Sequence, residues 1–450
     1  MNPLESPVFT EQVAFLKDTQ YWERGDILDL QLKKLQRLVR YAGERIPFYH
    51  ELLNSGVLRD EGISAIEDVR KFPLLSKKFL QDNYDSFLPF GHDKSALEVR
   101  TTGGSTGTPL KVYADMDFYA RDKANTEHYM EVFGLDIFNY RSIRLYGDKI
   151  DSDLLERGIY WYVVEDRKLV MSCYHISKET TKTYVDKINE FKPRYIHTRP
   201  SSILPLANYI HSEKYPLKNQ IEYIFCDGEY ITDGQRDRVE NVFGGRLVNI
   251  YGHTEGCAVG HPCVFSNELH FMPQVGIVEL LDKGGNEVVK EGESGEMVVT
   301  GFNNLIFPLI RYRTGDIGIL GNQKCKCGRN YKILRSVEGR IQDYVIDGGD
   351  NLIPLAPAVF NYNDMDWGGI REFKVIQERK GVLLFKILPE EEVKSNPGSF
   401  ESSFKRRMEE ILGSKFDIQV EFVSELNKTR IGKYRYLEQR LDLAGYFNIG

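Results

Sequence analysis

Nine consecutive residues, Thr101-Thr102-Gly103-Gly104-Ser105-Thr106-Gly107-Thr108-Pro109, hold the densest chemical signal of the chain. All but the closing proline are glycine or hydroxylated. Glycine admits positive φ and close approach of backbone to a ligand. Hydroxyls and bare amide N–H groups can then converge on phosphate oxygens. The pattern is not a Walker loop: G-x-x-x-x-G-K-[ST] is absent, and Thr108 stands where a lysine is expected. Taken alone, such a segment is more often a flexible connector.

Four further clusters follow in order. Asp227-Gly228-Glu229 comes directly after an apolar run, and Tyr251-Gly252-His253-Thr254-Glu255 directly after the next one. Ligands of α/β proteins collect at such carboxyl ends of strands. A carboxylate there can hold Mg²⁺, a hard ion that takes oxygen ligands and neutralises phosphate; the plain alternative is a polar turn. In Arg311-Tyr312-Arg313-Thr314-Gly315-Asp316, the aspartate either caps a turn or offers paired acceptors to vicinal ribose hydroxyls. Gly339-Arg340 and Ile431-Gly432-Lys433 supply cations that are either solvated surface charges or stabilisers of a phosphoryl group in transfer.

The elements that must position these residues are legible in outline. Leu35, Leu38, Val39, Ala42 and Ile46 recur at helical spacing and stop at Pro47. Ile221–Cys226 and Arg246–Tyr251 read as strands around a helix near Gln235–Phe243, the layout of a parallel sheet. From Gly276 the texture turns to β: Ile277–Leu281, Met297–Thr300 and Leu309–Arg311 are expected strands. Past Gly339-Arg340, Phe373–Gln377 and Leu383–Leu388 flank a Lys380-Gly381 turn, followed by a helix near Glu401–Leu412 and a strand near Ile418–Val423. The expectation is an α/β protein. Its large N-terminal body, residues 1–341, includes a β-rich subdomain at about 257–341, and a hinge joins it to a small α+β domain, residues 342–450.

Composition sets the outer limits. The chain has 450 residues, 41% apolar and 28% charged, with a net charge of −7. Those values suit an ordinary globular chain with ample core and argue against general nucleic-acid binding. No apolar run reaches the ~18 residues of a membrane span, and Met1-Asn2-Pro3-Leu4-Glu5 has no signal-peptide layout, so a cytoplasmic location is expected. Six cysteines in so long a chain do not form a disulfide scaffold.

Together the clusters resemble the adenylate-forming superfamily of acyl-CoA ligases, luciferases and nonribosomal adenylation domains. The chain is most similar to its phenylacetate–CoA ligase-like branch and, within that, to members serving capsular-polysaccharide biosynthesis. The resemblance runs from about Gln31 to Arg435. It implies ATP and Mg²⁺ as cofactors and an AMP-forming ligase that activates a small carboxylic acid. Coenzyme A is the expected acceptor; an amine or hydroxyl acceptor is the alternative within the class, and a non-catalytic nucleotide-binding protein the alternative outside it. By the resemblance, Thr102, Gly103, Gly104, Ser105, Thr106, Gly107 and Thr108 close over the β- and γ-phosphates. Gly228 and Glu229 contact adenine, Tyr251 stacks on it, and Thr254 touches the α-phosphate. Glu255 holds Mg²⁺, Asp316 grips ribose, and Arg340 reaches ribose or phosphate. Gln342 marks the hinge, and Lys433 is the catalytic lysine, with Lys428 a competitor five residues earlier. His197, Arg199, Gly252 and His253 line the acyl site, where Arg199 can pair with a second carboxylate or serve as a structural cation. The chain departs from the family at Thr108, where the loop lysine is missing, and at Gln342, where aspartate or lysine is usual. A homodimer is expected from the branch.

The cysteines raise a second metal. Cys325-Lys326-Cys327 is a tight C-x-C, and Cys257 and Cys263 lie upstream. Soft thiolates from two loops suit a tetrahedral structural Zn²⁺, with His261 or His270 as substitutes for one ligand. Ordinary reduced thiols are the alternative. Cys173 and Cys226 sit in apolar settings and are expected in the core.

Overall fold

The computed structural model describes residues 3–55, 62–91, 93, 97–101, 110–136, 139–340, 344–355, 370–391, 393, 397–426, 436–441 and 443. Two compact units are distinguished: residues 1–140 with 248–337, and residues 141–247 with 338–450. The first opens with helices α1 (Pro7–Thr19), α2 (Arg24–Arg45), α3 (Pro47–Asn54) and α4 (Lys77–Asp82). Ser6 caps α1 by accepting the Val8 N–H, and Pro7 takes the first helical position, where its missing donor costs nothing. Helix α2 buries Ile27, Leu35, Leu38 and Ala42 on one face. It ends at Ile46 because a residue before proline disfavours helical geometry, and Pro47 then starts α3. Strands β1 (Glu98–Thr101) and β2 (Lys111–Ala114) pair antiparallel with Thr101 opposite Lys111. The two ends of the glycine-rich segment are thereby held side by side; Thr102–Thr108 themselves lie outside the described residues. Helix α5 (Met116–Glu131) follows.

The second unit continues with β3 (Ser142–Tyr146), α6 (Ser152–Glu156), β4 (Trp161–Val164), β5 (Lys168–Ser172), α7 (Lys178–Phe191), β6 (Tyr195–Thr198), α8 (Pro200–Ser212), β7 (Tyr223–Asp227) and α9 (Asp233–Phe243). Strand β3 is parallel to β5 and β6, β6 is parallel to β7, and β4 is antiparallel to β5. Ile143, Leu145, Leu169, Ile196 and Ile224 pack with Tyr184, Ile188, Leu206 and Ile210 of the covering helices. The expected strand–helix–strand pattern is present. Capping fixes the ends of α9: Thr232 and Gln235 form a capping box, and Gly244 closes the helix at φ 75°.

Through β8 (Arg246–Gly252) the chain returns to the first unit, which adds β9 (Val259–Cys263), β10 (Ser266–Phe271), β11 (Gly276–Leu281), β12 (Ser294–Gly301), β13 (Tyr312–Leu320) and β14 (Lys332–Arg340). Their sheet order is β8-β9-β10-β14-β13-β12-β11. Leu280, Met297 and Val299 pack there with Leu35, Leu38, Tyr49 and Phe87 of the N-terminal segment. The tail comprises β15 (Tyr344–Ile346), β16 (Leu352–Pro354), β17 (Ile370–Arg379), β18 (Val382–Pro389), α10 (Pro397–Leu412), β19 (Asp417–Phe422) and β20 (Leu437–Gln439). Its sheet runs β19-β18-β17-β20, with Phe404 and Met408 of α10 packed on Val375, Leu383 and Phe385. Arg379 pairs with Val382, so the turn is the anticipated Lys380-Gly381, with Gly381 at φ 70°.

One expected strand is absent. Leu309–Arg311 does not extend into β13, because Arg311 adopts φ 55° and the strand starts at Tyr312. A left-handed conformation costs a non-glycine residue about 1–2 kcal/mol, and tertiary bonds offset it. The Arg311 guanidinium donates to both oxygens of Glu279 at 3.0 Å and to the carbonyls of Arg70 and Phe72. Its backbone N–H meets Thr300 Oγ1 at 3.0 Å. Both side chains of the ion pair are under 10% exposed. Arg311→Met should therefore cost about 3–5 kcal/mol, since it strands a buried carboxylate. Adding Glu279→Leu should recover part of that loss in equilibrium denaturation. Additive damage in the double variant would contradict the coupling.

Candidate active site

The loop after β8 turns sharply. Gly256 donates its N–H to His253 O at 3.0 Å and has φ 68°, and a Cβ there would lie 2.4 Å from the Phe118 ring. Only glycine fits, and the turn aims the Glu255 side chain inward, where it is 7% exposed. His253 Nδ1 lies 3.0 Å from Glu255 Oε2, and the Tyr312 hydroxyl donates to Oε1 at 2.9 Å. Burial by itself pushes this carboxyl up. The hydrogen bond and charge of His253, the residue's own backbone N–H and the Tyr312 hydroxyl outweigh it and hold the group at about 2. Glu255 is thus an ionised carboxylate in a dry setting.

A second carboxylate of the same unit lies on β13. Tyr251 donates its hydroxyl to Asp316 Oδ2 at 2.7 Å, and the Asp316 N–H bonds Thr314 Oγ1 at 3.0 Å. The Tyr251 ring tilts against Phe271 at 5.5 Å and His253 at 6.0 Å. Tyr251, His253, Glu255 and Asp316, singled out in the sequence, are therefore joined by direct bonds and ring contacts. Thr254 lies in the same loop, and Gly252 ends β8. Tyr312 was not singled out; its only signal was its place between two arginines before the Thr-Gly turn.

In the second unit, Asp227 at the end of β7 gathers partners. The Tyr146 hydroxyl donates to Asp227 Oδ2 at 2.7 Å, His197 Nε2 lies 3.0 Å from the same oxygen, and Arg199 Nε lies 3.8 Å from Oδ1. The Arg199 guanidinium also sits 5.1 Å over the Tyr146 ring, within cation–π range. Burial would raise the Asp227 carboxyl, but His197, Tyr146 and Arg199 together hold it below the ordinary range. Arg199 Nε is buried without a hydrogen-bond partner among the described residues. Gly228 adopts φ 69°, and Glu229 accepts from the backbone N–H and the hydroxyl of Ser201, both at 2.8 Å. A carboxylate at the first turn of α8 is also stabilised by the helix dipole. Tyr146 was missed in the sequence, although the end of a parallel strand is a place where ligands collect.

The cysteine set needs correction. Cys263, Cys325 and Cys327 converge, but the fourth member is His270, not Cys257. Cys257 is 2% exposed and packs into the core against Gly301, where an added Cβ would meet its sulfur at 2.6 Å. His261 is fully buried and outside the group, its Nδ1 bonded to the Pro262 carbonyl at 2.8 Å. Cys226 is a core residue as expected, and Cys173 is half-buried. Gln342, Lys428 and Lys433 lie outside the described residues, as does the side chain of Arg340.

Comparison with known proteins gives these features relatives. Residues 159–305 match the model of the AMP-binding enzymes, and residues 358–440 match that of the CapK C-terminal domain. The phenylacetate–coenzyme A ligase of Thermus thermophilus is 29% identical over 74% of this chain and 74% of its own. Protein CapK of Staphylococcus aureus is 25% identical over 92% of this chain and 89% of its own. The fold matches that of a 2-hydroxyisobutyryl-CoA ligase bound to an acyl-AMP in the postadenylation state, with a TM-score of 0.72 and 18% identity over 96% of this chain and 93% of that one. Within residues 159–305 the chain is thus similar to AMP-binding enzymes of the adenylate-forming class. Over a longer span it is similar both to phenylacetate–coenzyme A ligases and to CapK.

Because the carboxyl of Glu255 is depressed, the stability it contributes is full above its ordinary value of 4.5 and is lost as pH falls toward about 2. Tyr312→Phe removes one bond to the charged form, worth roughly 1.5–3 kcal/mol. The stability gap between wild type and this variant should be widest above pH 4.5 and narrow below it. A gap independent of pH, in thermal unfolding at a series of pH values, would rule out this account of Glu255.

Proposed function

We propose that the enzyme activates a small carboxylic acid with ATP and passes the acyl group to coenzyme A. The observation that carries this reading is the ionised, buried Glu255, linked to His253 and Tyr312 and followed along β13 by the Tyr251–Asp316 bond. A carboxylate oxygen would attack the α-phosphorus of ATP, forming a new P–O bond as the bond to pyrophosphate breaks. The coenzyme A sulfur would then attack the acyl carbon, expelling AMP and losing its proton to solvent. Such chemistry asks the protein chiefly for alignment and charge stabilisation.

Glu255 fits Mg²⁺ as a hard oxygen donor. Hydrogen bonds from His253, Tyr312 and its own N–H leave acceptor capacity on a carboxylate with about four lone-pair sites. When bound there, the ion offsets phosphate charge. In the same reading Tyr251 supports adenine, Asp316 the ribose and Thr254 the α-phosphate. Gly228 and Glu229 border the base, although Glu229 already accepts two bonds from Ser201. The segment Thr102–Thr108 covers the outer phosphates. Lacking a lysine at Thr108, it leaves their charge to the metal, Arg340 and Lys433. His197, Arg199, Gly252 and His253 face the acid, and residues 342–450 move about Gln342 between the two half-reactions.

A second reading keeps adenylation but delivers the acyl group to an amine or hydroxyl. The match of residues 358–440 to the CapK C-terminal domain, and CapK's coverage of nearly the whole chain, leave the acceptor open to it. Carboxylate-dependent pyrophosphate exchange across an acid panel tests the shared step, and AMP release with and without coenzyme A separates the acceptors. Exchange with no response to coenzyme A would favour the second reading. With no exchange for any acid, both fail. Lys433→Ala should reduce adenylation by about 10²–10³-fold while sparing thioester formation from supplied acyl-adenylate. Equal loss of both steps would overturn the role given to Lys433.

A further inference from the structure

Three sulfurs and one imidazole nitrogen meet at a single point of the first unit. Cys263 ends β9, His270 lies in β10, and Cys325 and Cys327 lie in the connection between β13 and β14. Their ligand atoms all fall within 4.8 Å of one another. Cys263 Sγ is 3.6 Å from Cys325 Sγ, and Cys327 Sγ is 3.4 Å from His270 Nε2. An ion at the centre of a tetrahedron, with bonds of ~2.3 Å to sulfur and ~2.0 Å to nitrogen, needs S···S edges of about 3.8 Å and S···N edges of about 3.5 Å. The two separations agree with those edges to within a few tenths of an ångström. A disulfide would need ~2.05 Å.

We propose that Cys263, His270, Cys325 and Cys327 bind a structural zinc ion. The surroundings are built for it. His270 is fully buried, and its Nδ1 lies 3.0 Å from the Glu268 carbonyl. That bond fixes the Nδ1–H tautomer and leaves the lone pair of Nε2 facing the sulfurs, the orienting contact expected of a metal-bound histidine. The Cys327 backbone N–H hydrogen-bonds the Cys325 sulfur, and the Gly328 N–H reaches Cys325 O at 3.2 Å with Gly328 at φ 78°. The short C-x-C-G turn can therefore present both sulfurs to one centre.

Charge gives a separate reason. Three thiolates and one divalent ion leave a net charge of −1. Two residues after Cys327 comes Arg329, 6% exposed, with its Nε buried without a hydrogen-bond partner among the described residues. A buried cation lacking full compensation is costly, and an anionic centre beside it offsets that cost. With four protein ligands the site has no open position, so it is structural rather than catalytic. It would clip the β13–β14 connection onto the β9–β10 hairpin. Strand β14 begins five residues after Cys327 and pairs with β10 through Leu269–Leu334, His270–Ile333 and Phe271–Lys332.

Elemental analysis of protein purified without chelator should give about one equivalent of zinc per chain. Cobalt-substituted protein should show the intense visible absorption and sulfur-to-metal charge transfer of a tetrahedral thiolate site. Cys257→Ser should keep the metal, whereas Cys327→Ser should lose it and lower the melting temperature. If Cys327→Ser does not fold, His270→Cys, which keeps four ligands, should still bind cobalt with a more sulfur-rich spectrum. Less than about half an equivalent of metal in the wild type, a Cys263–Cys325 disulfide found by mass spectrometry, or loss of metal from Cys257→Ser would each overturn the proposal.

Discussion

A carboxylate kept charged out of water is the constraint on which the candidate site depends. Glu255 sits where desolvation favours its neutral form, yet the hydrogen bonds of His253 and Tyr312 keep it ionised. That outcome demands placement. Gly256 must turn the loop so that Glu255 points inward, and β13 must begin where Tyr312 can reach it. The start of β13 is set in turn by Arg311, whose left-handed backbone is held by its bonds to Glu279, Arg70 and Phe72. One buried ion pair thus fixes the strand that supplies a partner to another buried carboxylate, and four residues beyond Tyr312 the same strand carries Asp316.

The second unit repeats this device at the end of β7. Asp227 ends a buried parallel strand, much as Glu255 follows β8, and is held below the usual carboxylate range by His197, Tyr146 and Arg199. Neither group serves as a proton donor near neutral pH. Fixed negative charge with orienting donors suits binding and alignment, in keeping with a reaction whose bonds are made and broken within the substrates. Glu229 differs, being occupied at the start of α8 by Ser201, so any contact it makes with a ligand competes with a helix cap.

Local chemistry was readable from the sequence wherever it was set by neighbours along the chain. Asp227, Tyr251, Glu255 and Asp316 were identified by their positions after apolar runs or a Thr-Gly turn, and the Lys380-Gly381 hairpin by its turn residues. The expected strand at Leu309–Arg311 failed because an apolar run cannot reveal that Glu279 and the carbonyls of Arg70 and Phe72 pull Arg311 into a left-handed conformation. Tyr146 and Tyr312 were passed over for the same reason: their partners, Asp227 and Glu255, lie 81 and 57 residues away.

The cysteines mark the division most clearly. Residue type alone determined that soft ligands were present, with Cys325 and Cys327 close enough in sequence to share a centre. Which further side chains join them was decided by the direction of each side chain from its strand or turn. Cys257 follows the Gly256 turn into the core against Gly301, whereas Cys263 at the end of β9 and His270 in β10 are brought together across a hairpin. Sequence by itself determined the order of the chemical groups and the enzyme class they imply, because those depend on residue identity and short spacing. Tertiary structure decided which charges are buried, which partners keep them ionised and which ligands converge, because these depend on distances between segments that the chain brings together only when it folds.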